Sequence, residues 1–360
     1  MFLAINEIFY SKLRYILIIG VVMLIAYLVF FLTGLAYGLA EENREAIDRW
    51  QADQIVLSQD ANATLDTSSI AEKSAQAVKA SQKAYLTQTP EVIVSNQQKK
   101  QPKKINVRFL GIEKEQFLMP NLIEGKAFKK NDEAIGDISL KKEYGLHIGD
   151  TIKLAGNSET FKLVGFTEYA KLSVSPVVYI SLSAAQQLHS EDSYSSSEKN
   201  KKINAIIIRG EVQRLPNTLE KISISTFIKH LPGYQAQLLT FGFMIGFLIV
   251  IAATVIGIFI YVLTIQKSNI FGIMKTQGIT EAFIIWSLFV QTFLLTFTGI
   301  LLGFIGTLVT SLLLPEVVPF QNNWLFFSII AFLMLLMALL GTLFSVRTII
   351  KIDPLKVIGQ

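Results

Sequence analysis

Four long apolar runs, roughly Tyr15–Leu39, Leu238–Ile265, Phe283–Leu314 and Trp324–Phe344, punctuate this chain, and one large polar block separates the first from the other three. Each run reaches the roughly 20 apolar residues needed to cross a hydrocarbon core as a helix. The layout predicts an α-helical membrane protein: four transmembrane helices in a 1+3 arrangement, with a mixed α/β extracytoplasmic domain between the first and second. Of the 360 residues, 51% are hydrophobic, and with a mean hydropathy of +0.45 the chain is too apolar for a soluble protein of its charge content. Lysine and arginine number 33 against 28 acids, and this excess of +5 is too small to point to nucleic acid. Cysteine is absent, which excludes a disulfide framework and a thiolate metal site. The first run is longer than the apolar core of a signal peptide, although Ala36, Gly38 and Ala40 supply the small residues of a cleavage site.

Short flanks set the orientation, because lysine and arginine collect on the cytoplasmic side. Lys12 and Arg14 precede the first run, Lys267 and Lys275 lie between the second and third, and Arg347, Lys351 and Lys356 follow the fourth. The loop between the third and fourth carries only Glu316. These flanks predict both termini in the cytoplasm and the large domain outside. Phe2, Ile5, Ile8 and Phe9 fall at helical spacing, so residues 1–14 read as an amphipathic interfacial helix or as an inward extension of the first span. The expected divisions are then 15–40 for helix 1, 41–236 for the α/β domain, 237–265 for helix 2, 266–282 for a cytoplasmic loop, 283–314 for helix 3, 315–323 for an outer loop, 324–345 for helix 4 and 346–360 for a tail.

Within the polar block, Ile55–Leu57 and Ile105–Ile112 read as strands, and Thr67–Thr87, rich in Ala, Ser, Gln and Lys, reads as an exposed helix. Lys99–Lys104 reads as a solvated loop, with a contact for lipid headgroups or an anionic partner as the alternative. Ala134–Ser139 is an expected strand and Leu140–Tyr144 a short helix. Thr151–Leu154 and Thr160–Phe166 make an expected hairpin around Gly156–Asn157. Val177–Ile180 is a further strand, with Ser181 as N-cap of the next helix. Ser190–Lys202 reads as a loop, Ile203–Arg209 as the last strand and Val212–Lys221 as a helix.

Several motifs follow one another in a specific order. Residues 123–166 run IEGKAFKKNDEAIGDISLKKEYGLHIGDTIKLAGNSETFKLVGF. The loop Gly272–Gly278 reads GIMKTQG, and residues 351–359 read KIDPLKVIG, with Asp353–Pro354 inside it. Taken with the helix layout, these segments resemble the MacB/FtsX superfamily of ABC-transporter permeases over nearly the whole chain. One position departs from the pattern: Ile270 stands where the family usually carries an acid. The opening MFLAINEIFYSKLRYILI, with FLTGLAYGLAEEN after it, is similar to the hemin-exporting permeases of Gram-positive bacteria. The resemblance implies a homodimer in the plasma membrane, two copies of a cytoplasmic ABC ATPase, and heme as the transported substrate. It also implies mechanotransmission, in which ATPase closure drives the outer helix ends together.

The residues themselves bear on each implication. No Walker A motif occurs, so the chain is not expected to be an enzyme; ATP would be bound by the partner subunit, with no intrinsic cofactor. The loop around Ile270, Phe271, Gly272, Ile273, Met274, Lys275 and Gly278 is the expected docking element, with Ile270, Phe271, Ile273 and Met274 on one side; the bland reading is an interfacial helix joining two spans. Gly242 and Gly246 give a G-x-x-x-G spacing, and Gly299, Gly303 and Gly306 recur in the third span, where small residues let membrane helices pack. Ferric heme needs an oxygen or nitrogen donor. Near the outer ends of the first two helices the sequence offers Tyr37, Glu41, Glu42, His230 and Tyr234, with Phe30, Phe31, Phe241, Phe243 and Met244 as apolar walls. Tyr37 and Glu41 share a helix face, as do His230 and Tyr234 unless Pro232–Gly233 breaks the helix. Each also has an ordinary reading: tyrosines gather at interfaces, acids mark where a helix enters water, and loop histidines are solvated. His147 and His189 read as structural. Export of an antimicrobial peptide, lipid or drug, and an FtsX-like signalling permease controlling a cell-wall hydrolase, remain the alternative functions.

Overall fold

The computed structural model describes residues 12–95, 103–156, 158–191, 202–266, 268–315 and 317–350. The chain divides into two compact units, an apolar one from residues 1–38 and 238–360 and an α/β one from residues 39–237. Residues 1–11, where most of the expected amphipathic segment falls, lie outside the described residues, whereas Lys12 to Arg14 belong to the first long helix.

The apolar runs form α1 (Lys12–Glu42), α2 (Tyr234–Gln266), α4 (Glu281–Leu313) and α5 (Trp324–Ile350), with a short α3 (Ser268–Thr276) between α2 and α4. All four long helices contain a stretch long and apolar enough to cross a membrane. At 1.5 Å per residue, 33 residues of α2 outrun a ~30 Å hydrocarbon core, so this helix continues past it. Glycine sets how closely α1 and α4 approach. A methyl group added at Gly299 would lie 2.6 Å from Val22, and one at Gly303 would lie 2.8 Å from Ala26 and from the backbone of Met23 and Tyr27. Gly257 and Gly341 do the same where α2 crosses α5, with the Gly341 position 2.9 Å from the Ala253 carbonyl. Buried polar pairs add to these contacts: Gln291 donates to the Tyr15 hydroxyl, Thr342 to the Thr292 hydroxyl at 3.1 Å, and the Tyr27 and Thr310 hydroxyls meet at 3.1 Å. The connection after α4 turns back on α1. The Gln321 N–H donates to the Gly34 carbonyl at 3.2 Å, and a side chain at Gly38 would collide with the Pro319 carbonyl. By contrast, nothing lies within 4 Å of the Cβ positions of Gly242 and Gly246.

The α/β unit is built on β1 (Gln54–Ser58), β2 (Lys79–Ser95), β3 (Lys103–Ile112), β4 (Leu122–Gly125), β5 (Glu133–Asp137), β6 (Thr151–Leu154), β7 (Thr160–Thr167), β8 (Ser175–Ser181), β9 (Ala205–Arg214) and β10 (Leu219–Ser223). Their order is β10-β1-β9-β2-β3-β8-β5-β7-β4, with β6 bridging β2 and β7 and a short Lys171–Leu172 strand on β8. Most pairs are antiparallel; β3 with β8 and β5 with β7 are parallel. Central β8 is buried over five consecutive residues, as a strand covered on both faces must be. One core gathers Trp50, Ile55, Leu86, Leu110, Tyr179 and Phe227, and another gathers Phe109, Leu140, Phe161, Phe166 and Val178.

Two expected helices give way to strands. Only Glu72–Ala77 is helical within Thr67–Thr87; from Lys79 the chain is β2. Ala84 and Leu86 are fully buried, and β2 pairs along both edges, with β9 and with β3, so tertiary pairing overrides a weak helical preference. The Val212–Lys221 helix is absent as well. β9 runs on to Arg214 through bulges, and Leu219–Ser223 pairs with β1. Pro216 lies between them, where it would interrupt a helix. The Thr151–Thr167 hairpin forms, and the Ser181 hydroxyl caps the following helix by accepting from the Ala184 N–H at 3.2 Å. Residues 96–102 and 192–201, which hold most of the two expected loops, lie outside the described residues.

Gly303→Val should push α1 off α4 and destabilise the purified protein by about 1–3 kcal/mol, the usual cost of overpacking. Gly246→Val should leave thermal stability of the detergent-solubilised monomer unchanged, since its Cβ position meets open space.

Candidate functional site

The residues singled out from the sequence fall at the end of α1, around the start of α2, and in the short helix α3.

Tyr37 is half-buried on α1, its ring tilted against Phe326 at 5.6 Å. Four residues on, Glu41 pairs with Arg44 at 2.7 Å. Glu42 is buried and meets Lys171 Nζ at 2.8 Å, and Glu143 lies 3.4 Å from the same nitrogen. Its carboxylate is therefore committed to an ion pair within the α/β unit. His230 caps the end of the Ile224–Lys229 helix and is exposed, its Nδ1 2.9 Å from the Thr226 carbonyl. Tyr234 is buried and opens α2. Gly233, at φ +76°, turns the chain between them, so His230 ends one helix and Tyr234 begins the next. The expected shared helix face does not form, because Pro232–Gly233 separates the two residues. The apolar walls also divide. Phe30 is buried edge-on against Phe304 and Phe327, and Phe31 stacks on Tyr27 and Phe320. Phe243 and Met244 are exposed on α2.

Sequence reasoning missed the acid-rich network that receives Glu42. The Lys171 N–H donates to Glu45 Oε2 at 3.2 Å, and Asp137, itself buried, accepts from the Ala170 N–H at 3.0 Å. Burial foremost, with Asp137 and Glu42 nearby, pushes the Glu45 carboxyl up to about 7. Nothing local in the sequence signals these partners, because Lys171 is 129 residues from Glu42.

In α3, Phe271 is buried against Ile284 and Leu288, with Met274 beside it. Ile270 and Ile273 are 53% and 50% exposed. The four apolar residues expected on one side thus split: two hold the helix to α4, and two face outward. Gly278, at φ +85°, ends the helix, with the Ile279 N–H donating to the Met274 carbonyl and the Gly278 N–H to the Lys275 carbonyl, both at 3.0 Å. Lys275 pairs with Glu281 at 2.8 Å. Gly272 is buried in the middle of the helix.

Residues 237–354, from α2 through the end of α5, match the FtsX-like permease C-terminal family. A Staphylococcus epidermidis protein named as the hemin transport system permease HrtB is 29% identical over 363 residues, covering 99% of both chains. The like-named protein of Staphylococcus haemolyticus is 27% identical with the same coverage. The chain thus carries an FtsX-like permease domain, and over nearly its whole length it resembles ABC-transporter permeases of the MacB/FtsX superfamily. Within that superfamily it resembles HrtB. An uncharacterized ABC transporter permease of Mycobacterium tuberculosis is 22% identical over 372 residues, covering 100% of this chain and 99% of its own. The periplasmic region of MacB from Actinobacillus actinomycetemcomitans aligns at 12% identity and a TM-score of 0.35, covering 49% of this chain and 91% of that one.

Lys171→Met should leave the buried Glu42 carboxylate, and the half-buried Glu143 beside it, without their cation and cost about 3–5 kcal/mol, read as a lowered denaturation midpoint of the full chain.

Proposed function

We propose that this permease is the membrane subunit of a heme efflux pump driven by a separate cytoplasmic ATPase. The observation that carries the proposal is similarity over 99% of the chain to proteins named as hemin transport permeases. The absence of a Walker A motif from the sequence supports assigning ATP hydrolysis to a partner. The outward pair Ile270 and Ile273 supports α3 as the docking element, since exposed aliphatic residues beside a glycine-ended helix fit a hydrophobic groove.

A homodimer of this chain, with two ATPases, supplies the second wall of the path. The open Gly242 and Gly246 positions on α2, flanked by exposed Leu239, Phe243 and Phe247, support pairing there. Both termini and α3 lie in the cytoplasm and the α/β domain outside the plasma membrane of a Gram-positive cell, a reading that rests on the lysine and arginine flanks. Heme enters from the outer leaflet, where membrane lipid is its reservoir, and closure of the ATPases moves the helices to expel it. Tyr37, Glu41, Glu42, His230 and Tyr234 are the proposed heme contacts. Among them Tyr37, His230 and Tyr234 have a donor outside any ion pair, whereas Glu41 pairs with Arg44 and Glu42 with Lys171.

Hemin titrated into the purified permease should give a saturable Soret shift that one or two of Tyr37→Phe, Glu41→Ala, His230→Ala and Tyr234→Phe abolish. A spectrum identical to hemin in empty micelles would sink the cargo assignment. Ile270→Glu with Ile273→Glu should reduce heme resistance of cells to that of a deletion strain and stop the ATPase from co-purifying. Heme binding by the isolated permease should survive these two changes.

A further inference from the structure

The turn 169–174 stands out in the α/β unit, because three of its residues, Tyr169, Ser173 and Val174, adopt positive φ of 53°, 50° and 65° without being glycine. Such backbone is costly, above all for a β-branched residue, and persists only where neighbours hold it. Here the holders are residues 42–45. The Ser173 N–H donates to the Asn43 carbonyl at 3.0 Å and the Val174 N–H to the Glu42 carbonyl at 3.3 Å. The Lys171 side chain meets Glu42 and its N–H meets Glu45. Asn43 extends the grip by donating to Gln237 Oε1 at 3.0 Å, in the first turn of α2.

The charges in this contact do not balance. Facing Glu45 are Glu42 on the preceding segment, Asp137 at the end of β5, and Lys171 on the turn. Across the lysine lie Glu143 and the Tyr144 phenol. Four carboxyls thus gather at the turn against one lysine, two of them, Glu42 and Glu143, on its ammonium. We propose that Glu45 and Lys171 form a proton-sensitive latch: neutral Glu45 leaves the turn held on residues 42–45, and ionised Glu45 adds the charge that lets the strained turn release. A protonated carboxyl still offers an acceptor oxygen to the Lys171 N–H, so the hydrogen bond survives neutralisation. The turn also walls a cavity of about 230 Å³ in which Arg49 lies 4.8 Å over the Tyr169 ring and Arg209 lies 4.2 Å over Phe117.

The direction follows from linkage. Glu45 is raised from 4.5 to about 7 in the folded chain, so the folded form holds the proton more tightly than the unfolded form. Its stabilising contribution is complete below 4.5 and is lost as pH rises through about 7. Hydrogen exchange of the full chain in nanodiscs, compared at pH 6 and pH 8 after correction for intrinsic rates, tests this directly. The amides of 171–174 should lose protection several-fold at the higher pH while those of β8 hold. Glu45→Gln should keep the low-pH protection at both values. Equal wild-type protection of 171–174 at the two pH values, or an undiminished pH dependence in Glu45→Gln, would overturn the latch. The wild-type comparison decides by itself if the variant misfolds.

Discussion

The apolar unit depends on the absence of side chains at Gly299 and Gly303. In hydrocarbon no water is released when helices meet, so association rests on close packing and a few polar pairs. Backbone-to-backbone approach at these two positions brings Val22, Met23, Ala26 and Tyr27 of α1 against α4, and the Gln291–Tyr15 and Tyr27–Thr310 pairs then form. With α1 held this way, the connection after α4 can settle on Gly34 and Gly38. On the N-terminal half of α2, Ile245 and Ile249 join the core between α1 and α4, while Leu239, Phe243 and Phe247 and the open Gly242 and Gly246 positions face outward.

The same division lets α3, the proposed docking helix, serve two ends at once. Phe271 and Met274 fix it to α4, and Ile270 and Ile273 remain outside. A push on the exposed pair would therefore reach α4, and through the glycine contacts α1, without an intervening loop. Transmission of this kind needs rigid neighbours, and close packing at Gly303 supplies one.

Long-period features were legible in the sequence. The four spans, the β6–β7 hairpin, the Ser181 cap and the glycine-ended α3 all follow from local pattern, and the ordered motifs led to the superfamily. What failed was decided by distant partners. Ala, Ser and Gln in 79–87 favour a helix locally, yet β9 and β3 claim both edges of that strand. Glu42 looked like a free acid at a helix end, yet Lys171, far along the chain, takes it. His230 and Tyr234 looked four apart on one face until Gly233 turned the chain between them. The latch was invisible for the same reason: its turn reaches positive φ at Tyr169, Ser173 and Val174, where no glycine marks the place.

The most direct measurement is heme retention in proteoliposomes carrying the permease with its co-expressed ATPase, loaded with hemin in the bilayer. Added ATP should deplete membrane heme, and hemin should accelerate ATP hydrolysis. Steady ATP hydrolysis with membrane heme unchanged would contradict it and leave a permease whose work is done on something other than heme.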